Sequence, residues 1–303
     1  MKKLGLVLMC MLLAAFVFAE GTGLTAGVEF GFDSLNKEGV DAIDTAYLRP
    51  NIAYENNELA ENVDLYLELG IPFWSNPEFW LGIDFTLDGG YTVQVSDAGS
   101  LRIGLNALLW IPAATDKDTF TFGYSPELQP YKGPFGGMGG SEDPEMYLIP
   151  GVRYTHALDN MSFFGEVNMP LYVLTQEGMD ALDIIPLNIL LGMNMDNGFG
   201  IEIEITNFIK DYTPDQEVSF FDYVTITPSY ENEKFYALVE VGIPTFDNGM
   251  DIAGLYLCPE FGYNVMDNFQ IYAGLPISNV GSDKDKGGSD VEFGLYVGAK
   301  YSF

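Results

Sequence analysis

The segment from Asp290 to Phe303, "DVEFGLYVGAKYSF", has an apolar side chain at every second position, beginning at Val291. Successive side chains of a β-strand point to opposite faces of the sheet, so this strict alternation predicts a strand with one wholly apolar face. Such a face packs either against a second sheet, as in a soluble sandwich, or against lipid, as in a membrane barrel. The rest of the chain has to distinguish between these two environments.

Alternating segments of about ten residues recur along the chain, separated by turn-forming residues. We predict sixteen strands, near residues 23–32, 46–54, 62–72, 79–87, 90–96, 101–111, 119–130, 147–155, 161–172, 185–195, 199–208, 220–230, 235–244, 253–263, 269–277 and 291–303. Because one hairpin can be miscounted by this method, the prediction covers fourteen to sixteen strands.

Charge is completely segregated in the ten clearest of these strands, which start at residues 23, 62, 79, 101, 161, 185, 199, 235, 269 and 291. One phase of these strands comprises 54 positions and contains no charged residue. Edge strands of soluble sheets normally carry some inward-pointing charge as protection against edge pairing. The absence of any charge therefore favours a lipid-facing surface, and the predicted fold is all-β, a transmembrane antiparallel up-and-down β-barrel.

The breaks between strands differ in length. Short breaks at 88–90, 196–198, 231–234 and 264–268 tend to alternate with longer ones at 33–45, 131–146, 173–184, 209–219 and 278–290, and the break at 97–100 is an exception. Short periplasmic turns and longer outer loops are typical of bacterial outer-membrane barrels. An aromatic girdle is expected at the short-turn rim, formed by Tyr54, Tyr154, Tyr230 and Tyr263. Prolines are expected to ring the long-loop rim, at positions 50, 72, 150, 170, 228, 244, 259 and 276.

The first nineteen residues have the features of a cleaved export signal. Lys2 and Lys3 precede an apolar run that ends in the small-residue site around Ala19. We expect cleavage near Ala19, which leaves residues 20–303 as a single barrel domain. A lipoprotein signal would use Cys10, but Met9 before it is not small and the apolar run continues past it.

The net charge excludes one class of partner. Without Lys2 and Lys3, the 13 basic residues become 11 against 44 acidic ones, a net charge of −33. Such a surface repels nucleic acid and attracts cations. Nucleic-acid binding is therefore excluded.

The final segment resembles the assembly signal of bacterial outer-membrane β-barrels, a class that includes porins. Tyr296, Gly298, Tyr301 and Phe303 match its pattern of a polar or aromatic residue, a glycine, a hydrophobic residue and a terminal aromatic residue. The resemblance implies that the barrel-assembly machinery recognises this strand. The resemblance identifies the class of outer-membrane β-barrels but does not identify a subfamily.

The polar phase of the strands is the predicted functional surface, because in a barrel it faces the lumen. The acidic residues placed there are Glu29, Asp64, Glu68, Asp84, Glu166, Glu202, Glu204, Glu240, Glu260 and Glu292, and the basic ones are Arg49, Arg102, Arg153 and Lys300. This excess of carboxylates should attract cations into a wide, aqueous lumen. In a narrow barrel the same residues would form internal salt bridges, so barrel width decides the function.

Catalysis is not expected. His156 is the single histidine, it lies in or beside a predicted turn, and the chain has no recognisable nucleophile, phosphate-binding or metal-protease motif. Cys258 is expected to pack as a small apolar residue. No cofactor or metal is predicted, because the acidic loops at 211–217 and 283–290 lack a calcium-loop pattern. The glycine-rich segment 133–144 is interpreted as a surface loop, with an inward-folded constriction as the alternative.

We therefore predict a porin-like channel for the passive diffusion of small hydrophilic solutes, with a preference for cations. Its partners would be outer-membrane lipid, the assembly machinery and the solutes, and an oligomer is compatible with the sequence. Three alternatives stay open: a closed barrel acting as an adhesin or structural protein, a carrier for apolar molecules, and a secreted soluble β-protein. A carrier would need an apolar pocket and an N-terminal plug, whereas the first predicted strand begins at residue 23.

Overall fold

The structure is a computed structural model and describes residues 23–36, 40–74, 80–114, 145–174, 185–210, 223–245, 251 and 253–303. Fourteen strands account for about 75% of these residues. They are β1 Leu24–Phe32, β2 Ala46–Ala60, β3 Val63–Gly70 with Phe73–Trp74, β4 Trp80–Gln94, β5 Gly99–Ala114, β6 Glu145–Leu158, β7 Met161–Asn168 with Leu171–Leu174, β8 Ile185–Met195, β9 Phe199–Lys210, β10 Tyr223–Glu231, β11 Phe235–Pro244, β12 Leu255–Met266, β13 Phe269–Gly274 with Ile277–Val280, and β14 Glu292–Phe293 with Leu295–Ser302. Two short 3₁₀ turns, Ala42–Thr45 and Lys284–Lys286, lie in the connections.

The strands form one closed antiparallel up-and-down barrel. Each strand pairs with its neighbours in the chain, and β1 pairs with both β2 and β14, which closes the ring. Closure removes the unpaired sheet edges that a bilayer could not satisfy. The fourteen-strand barrel confirms the predicted fold class.

One predicted turn is absent from the structure, and one predicted strand lies outside the described residues. The predicted turn at 88–90 is wrong, because β4 runs without interruption from Trp80 to Gln94 and pairs with β5 along this whole length. The predicted strand at 119–130 and the glycine-rich segment 133–144 lie outside the described residues, as does the predicted signal segment 1–19.

The uninterrupted β4 removes the exception in the loop pattern. The connection at 95–98 now joins β4 to β5 on the same rim as the other short turns. Six short turns therefore share one rim with the two ends of the barrel, and seven longer connections share the other. This is the alternation that an outer-membrane barrel shows.

Apolar side chains face outward along the barrel wall. Large exposed side chains include Phe30, Ile103, Val152, Leu191 and Phe261, each from a strand whose opposite phase faces inward. Exposed Tyr91, Tyr154, Tyr230, Tyr263 and Tyr301 lie near the short-turn ends of their strands. Aromatic side chains at this level form the girdle expected where a barrel wall meets the membrane interface.

Three of the prolines lie inside strands rather than at the predicted positions. Pro50, Pro150 and Pro259 lie within β2, β6 and β12 rather than at the long-loop rim. Each accepts a hydrogen bond from the residue before a second proline, where the adjacent strand breaks, at Ile71, Met169 and Leu275 respectively. Because proline has no N–H to donate, it is accommodated where the neighbouring ladder is already interrupted.

Among the described residues, no helix is long and apolar enough to cross a bilayer.

Candidate functional site in the barrel lumen

The lumen is divided between two halves of the wall. Strands β3 to β9 surround a cavity of about 720 Å³. Strands β11 to β14, together with β1 and β2, carry hydrogen-bonded lumen tyrosines and their carboxylate partners. The described cavity therefore lies against the other part of the wall.

Arg49 organises a buried ion cluster between β2, β3 and β4. Its guanidinium donates two hydrogen bonds to Asp84, at 2.9 and 2.7 Å, and a third to Glu68 at 2.6 Å. Glu68 also accepts hydrogen bonds from the Asn51 amide and the Tyr66 hydroxyl. The Asp84 side chain is only 2% exposed, so these charges are satisfied by one another rather than by water.

Two further glutamates are held by pairs of tyrosines. Glu29 accepts hydrogen bonds from the Tyr47 hydroxyl at 2.8 Å and the Tyr272 hydroxyl at 2.9 Å. Glu260 accepts them from the hydroxyls of Tyr236 and Tyr296. Each carboxylate thus links strands that are neighbours or near neighbours in the wall, and neither glutamate lines the cavity.

Glycines opposite these aromatic residues make the close packing possible. Tyr296 is the register partner of Gly274, and a Cβ at that glycine would lie 2.1 Å from the tyrosine ring. The same arrangement pairs Tyr236 with Gly262 and Tyr272 with Gly298. The rings lie flat over bare backbone, which brings their hydroxyls within reach of the lumen carboxylates.

A belt of buried apolar contacts crosses the lumen beyond the cavity. Its members are Tyr47, Leu108, Ile149, Cys258 and Tyr296, from strands on different sides of the barrel. Cys258 is 1% exposed and its sulfur lies 3.8 Å from the Tyr296 hydroxyl, so it packs as a small buried residue. Leu108 and Ile149 lie farther from the short-turn rim than most of the cavity wall, and Ile149 itself lines the cavity, so the belt borders the cavity on its long-loop side.

The cavity wall carries more acidic than basic groups. Its charged residues are the carboxylates Asp64, Asp88, Glu166, Glu202 and Glu204 and the guanidiniums of Arg102 and Arg153. Arg102 donates to Asp64 at 2.5 Å and to Asp88 at 2.9 Å. Arg153 donates to Glu166 at 2.7 Å and lies 4.4 Å from the centre of the Phe164 ring. The described part of the wall therefore has a net negative charge, with Glu202 and Glu204 beside each other on the same face of β9.

Three asparagines complete the wall. Asn106, Asn168 and Asn188 come from β5, β7 and β8, and Asn168 is the direct register partner of Asn188. The side-chain oxygens of all three, and the Asn188 nitrogen, are buried without a hydrogen-bond partner. A buried polar group left unpaired costs about 1–3 kcal/mol, so these amides are unusual in a folded wall.

The structure distributes most of the predicted lumen residues between the cavity and the hydrogen-bonded clusters. Asp64, Glu166, Glu202, Glu204, Arg102 and Arg153 line the cavity, whereas Glu29, Glu68, Asp84, Glu260 and Arg49 belong to the hydrogen-bonded clusters. Glu240 is 4% exposed on β11. Glu292 and Lys300 lie on β14, where the Lys300 ammonium is 5.8 Å from the centre of the Tyr272 ring.

Sequence reasoning missed four wall residues. Asp88 was assigned to a turn, although the alternation continues through it and identifies it as inward-facing. Asn106, Asn168 and Asn188 occupy the same phase as the charged residues, but charge alone does not identify them. A search for any polar side chain in the inward phase would have found all four.

Two lysines of the loop 281–290 form local ion pairs. Lys284 contacts Asp290 at 2.5 Å and Lys286 contacts Asp251 at 2.6 Å. The hydrogen bond to Asp251 raises the pKa of the exposed Lys286. Within the described ranges, no group of three or more His, Cys, Asp or Glu side chains is arranged to hold a metal ion, and residues 211–217 lie outside those ranges.

His156 is near the short-turn end of β6. Its ring stacks on Tyr154 with centroids 6.3 Å apart, and its Nδ1 lies 3.3 Å from the tyrosine hydroxyl. It does not line the cavity. The described contacts therefore give it an aromatic packing role at the rim.

The residues of the terminal motif lie on both faces of β14. Tyr296 and Gly298 face the lumen, where Tyr296 is 4% exposed. Tyr301 faces outward, and its ring lies 4.8 Å from that of Phe303. The Phe303 amide donates to the Leu24 carbonyl across the closure with β1. Whether the assembly machinery reads this strand stays a prediction.

A closed up-and-down barrel with an apolar outer surface, a rim of aromatic residues and a polar interior has the fold and surface pattern of a transmembrane β-barrel. No protein-family model matches the chain, and no curated protein matches it.

Several solved structures are similar to this chain in fold. The KdgM porin matches at a TM-score of 0.38 and 9% identity, over 92% of this chain and 99% of that one. Omp33 of Acinetobacter baumannii matches at a TM-score of 0.47 and 8% identity, over 93% and 98%. The CymD monoaromatic hydrocarbon channel matches at 0.45 and 10%, over 94% and 89%. Identities this low concern the barrel fold alone, so function has to be argued from the lumen.

Proposed function

We propose that this protein is an outer-membrane channel that lets small hydrophilic solutes diffuse passively, with a preference for cations. The observation that carries the proposal is the polar cavity of about 720 Å³ inside half of the barrel wall. A lumen filled by side chains would not need five carboxylates, two guanidiniums and three amides around an open volume. No catalysed reaction forms part of the proposal.

The cation preference follows from the charges of the cavity wall. Five carboxylates face two guanidiniums, and both guanidiniums are already paired with carboxylates. The remaining negative charge raises the local concentration of cations and opposes anions. Size exclusion by the wall sets the upper limit for the solute.

Conductance in planar bilayers tests the channel. The purified protein should give discrete steps in KCl, and under a KCl gradient the reversal potential should take the sign of potassium selectivity. Absence of steps from a protein that migrates as a folded barrel on unheated gels would reject the channel. A chloride-selective potential would reject the preference while leaving the channel intact.

A closed structural barrel is the second candidate, because the apolar belt crosses the lumen. It predicts a folded barrel with no conductance under any salt gradient. A carrier for apolar molecules has less support, since Ile149 and Leu190 are the only apolar side chains among the described residues that line the cavity.

The proposal includes insertion by the barrel-assembly machinery through the β14 motif. In the folded barrel, the Phe303 ring packs against the Tyr301 ring at the end of the last strand. Phe303→Ala should therefore lower the folded amount in cells severalfold, while leaving refolding of the purified protein in detergent nearly unchanged. The matched control is Phe293→Ala, an outward residue of the same strand. Equal cellular amounts of the Phe303→Ala variant and the parent would contradict this role.

A further inference from the structure

We infer that the outward surface of the barrel carries, at its short-turn rim, a binding site for the headgroup of a zwitterionic ethanolamine phospholipid. The polar groups of this site are the side chains of Ser96, Tyr154 and His156, which we call the headgroup notch. The inference concerns the lipid-facing surface and is independent of the proposed channel.

The headgroup notch lies on the outward face of β6. Arg153 lines the cavity, so Tyr154 and His156 belong to the opposite, outward phase of the strand. Tyr154 is 42% exposed and is one of the girdle tyrosines. The imidazole next to it is therefore a polar group on an outer surface that is otherwise apolar along the wall.

His156 lies at the level of the lipid headgroups. It follows Tyr154 by two residues toward the short-turn rim, as Val265 follows the girdle residue Tyr263 on β12. Two residues span about 6.7 Å of a strand, or about 5 Å along the membrane normal at the usual tilt. The headgroup layer beyond the hydrocarbon is about 5–8 Å thick. The chain thus places a histidine where the equivalent position of β12 has a valine.

Gly99 brings the polar groups together. It is the β5 register partner of His156, and a Cβ there would lie 2.6 Å from the Tyr154 hydroxyl oxygen and 2.8 Å from the Ser96 Oγ. The His156 Nδ1 lies 3.3 Å from the same tyrosine oxygen. Because Gly99 has no side chain, both hydroxyls lie over bare backbone beside the imidazole.

The headgroup notch offers donors to an anionic oxygen. When the Tyr154 hydroxyl donates to Nδ1, the ring proton of His156 is on Nε2 and is available to a ligand. In the other tautomer Nδ1 donates to the tyrosine oxygen, and the hydroxyl proton is available instead. Either arrangement leaves one donor from this pair, and the Ser96 hydroxyl adds another. A lipid phosphate, which has only acceptor oxygens, matches this set.

The outward surface beside the headgroup notch can accommodate acyl chains. Gly165 is the β7 register partner of Tyr154, and a Cβ there would have only one neighbouring atom, at 3.7 Å. Phe163 and Val167 on either side of it are exposed. The wall is therefore recessed between two apolar side chains, on the hydrocarbon side of the polar groups.

The charge of the rim selects a zwitterionic headgroup over an anionic one. Each of the six short turns carries one acidic residue, and Lys234 is the only basic residue in these described turns. Asp97 and Asp159 lie in the two turns next to the headgroup notch, which are joined by a hydrogen bond of 2.7 Å from the Ala157 amide to the Ala98 carbonyl. A lipid with net negative charge is repelled by these carboxylates, whereas the ammonium of an ethanolamine headgroup is attracted to them.

Native mass spectrometry of the folded barrel in detergent tests the site, with dioleoyl-phosphatidylethanolamine or dioleoyl-phosphatidylglycerol added at equal concentration. The barrel carrying one ethanolamine lipid should be about fivefold more abundant than the barrel carrying one glycerol lipid, as expected for a difference of one charge-assisted contact. Equal abundance of the two complexes would overturn the inference.

His156→Phe keeps an aromatic ring and removes both nitrogens, so it should lower retention of the ethanolamine lipid about fivefold, as expected for the loss of one hydrogen bond to a charged group. Ser96→Ala tests the same site from the neighbouring turn and should also lower retention. The matched control is Tyr263→Phe, a girdle tyrosine that is followed by Val265 and should bind like the parent. Retention equal to the parent in both folded notch variants would overturn the site.

The double substitution Asp97→Asn and Asp159→Asn tests the selection of the headgroup. It should bring retention of the two lipids closer together by raising that of the glycerol lipid, because the repelling carboxylates are removed. An unchanged ratio would show that these residues do not select the headgroup.

Discussion

Arg49 shows how individual residues hold charge inside this barrel. Its guanidinium contacts Asp84 and Glu68 in a cluster from which water is nearly excluded. A buried pair contributes little relative to a well-packed apolar core, but removal of one partner leaves an uncompensated charge. The cluster therefore matters to stability mainly because both of its carboxylates are matched.

Arg49→Met should lower the free energy of unfolding by about 3–5 kcal/mol, because Asp84 and Glu68 would lose their counterion. Urea unfolding in detergent, followed by heat-modifiable gel migration, measures this change. Arg153→Met is the matched control, since that side chain is 38% exposed and its single pair should contribute no more than about 1 kcal/mol.

Adding Glu68→Gln and Asp84→Asn to Arg49→Met should restore most of the stability, because no unpaired charge then remains. Equal losses of unfolding free energy in Arg49→Met and Arg153→Met would show that burial of the Arg49 cluster does not determine its contribution to stability.

At the scale of elements, β4 shows where local sequence signals mislead. Asp88-Gly89-Gly90 has the composition of a turn, but the two glycines continue the strand with opposite orientations. Gly90 faces inward, against the Arg102 side chain, whereas Gly89 has only ordinary contacts. Pairing with β3 and β5 on both sides overrides the weak local preference.

The two adjacent glycines should respond differently to the same substitution. A Cβ at Gly89 would lie 3.8 Å from its nearest atom, so Gly89→Ala should change the unfolding free energy by less than about 1 kcal/mol. A Cβ at Gly90 would lie 2.3 Å from Arg102 Nε, so Gly90→Ala should cost about 1–3 kcal/mol.

The measurement is urea unfolding of both variants beside the parent protein. A real turn at this position would make the two glycines behave alike, and that outcome would reject a continuous β4.

For the whole molecule, the central feature is the division of the lumen between hydrogen-bonded tyrosines and a polar cavity. The tyrosines and their carboxylate partners lie along β1, β2 and β11 to β14, the cavity lies against β3 to β9, and the apolar belt crosses between the two. Conductance should consequently depend on a few side chains of the belt and the cavity wall rather than on the diameter of the barrel.

Leu108→Ala should increase the single-channel conductance, because Leu108 is a fully buried member of the belt and its truncation opens space in the lumen. The control is Leu105→Ala on the same strand, where the side chain is exposed on the outer surface. The belt does not limit the current if both variants conduct like the parent.

The double substitution Glu202→Gln and Glu204→Gln should shift the reversal potential in a KCl gradient toward zero, because it removes two negative charges from the cavity wall. Glu292→Gln provides the control, since Glu292 faces inward on β14 but does not line the cavity. An equal shift in both variants would argue against a local selectivity site.

Alternation in the amino-acid sequence is sufficient to predict the class of fold. Alternation with a charge-free phase determines which residues face outward, because a one-residue slip in a strand would expose its polar face to lipid. The positions of the strands, the assignment of the inward phase and the two rims all follow from this constraint. The turn predicted at 88–90 and the rim positions predicted for Pro50, Pro150 and Pro259 are wrong, because pairing between strands overrides the local preference of these residues.

Which inward residues share a site depends on how the closed barrel brings its strands together. Glu68 and Glu204 have the same type and the same phase, yet one belongs to the Arg49 cluster and the other lines the cavity. The difference depends on closure of the ring, since closure brings strands that are distant in the chain into contact across the lumen. Alternation specifies the face of each side chain, but it contains no information on what lies opposite that face.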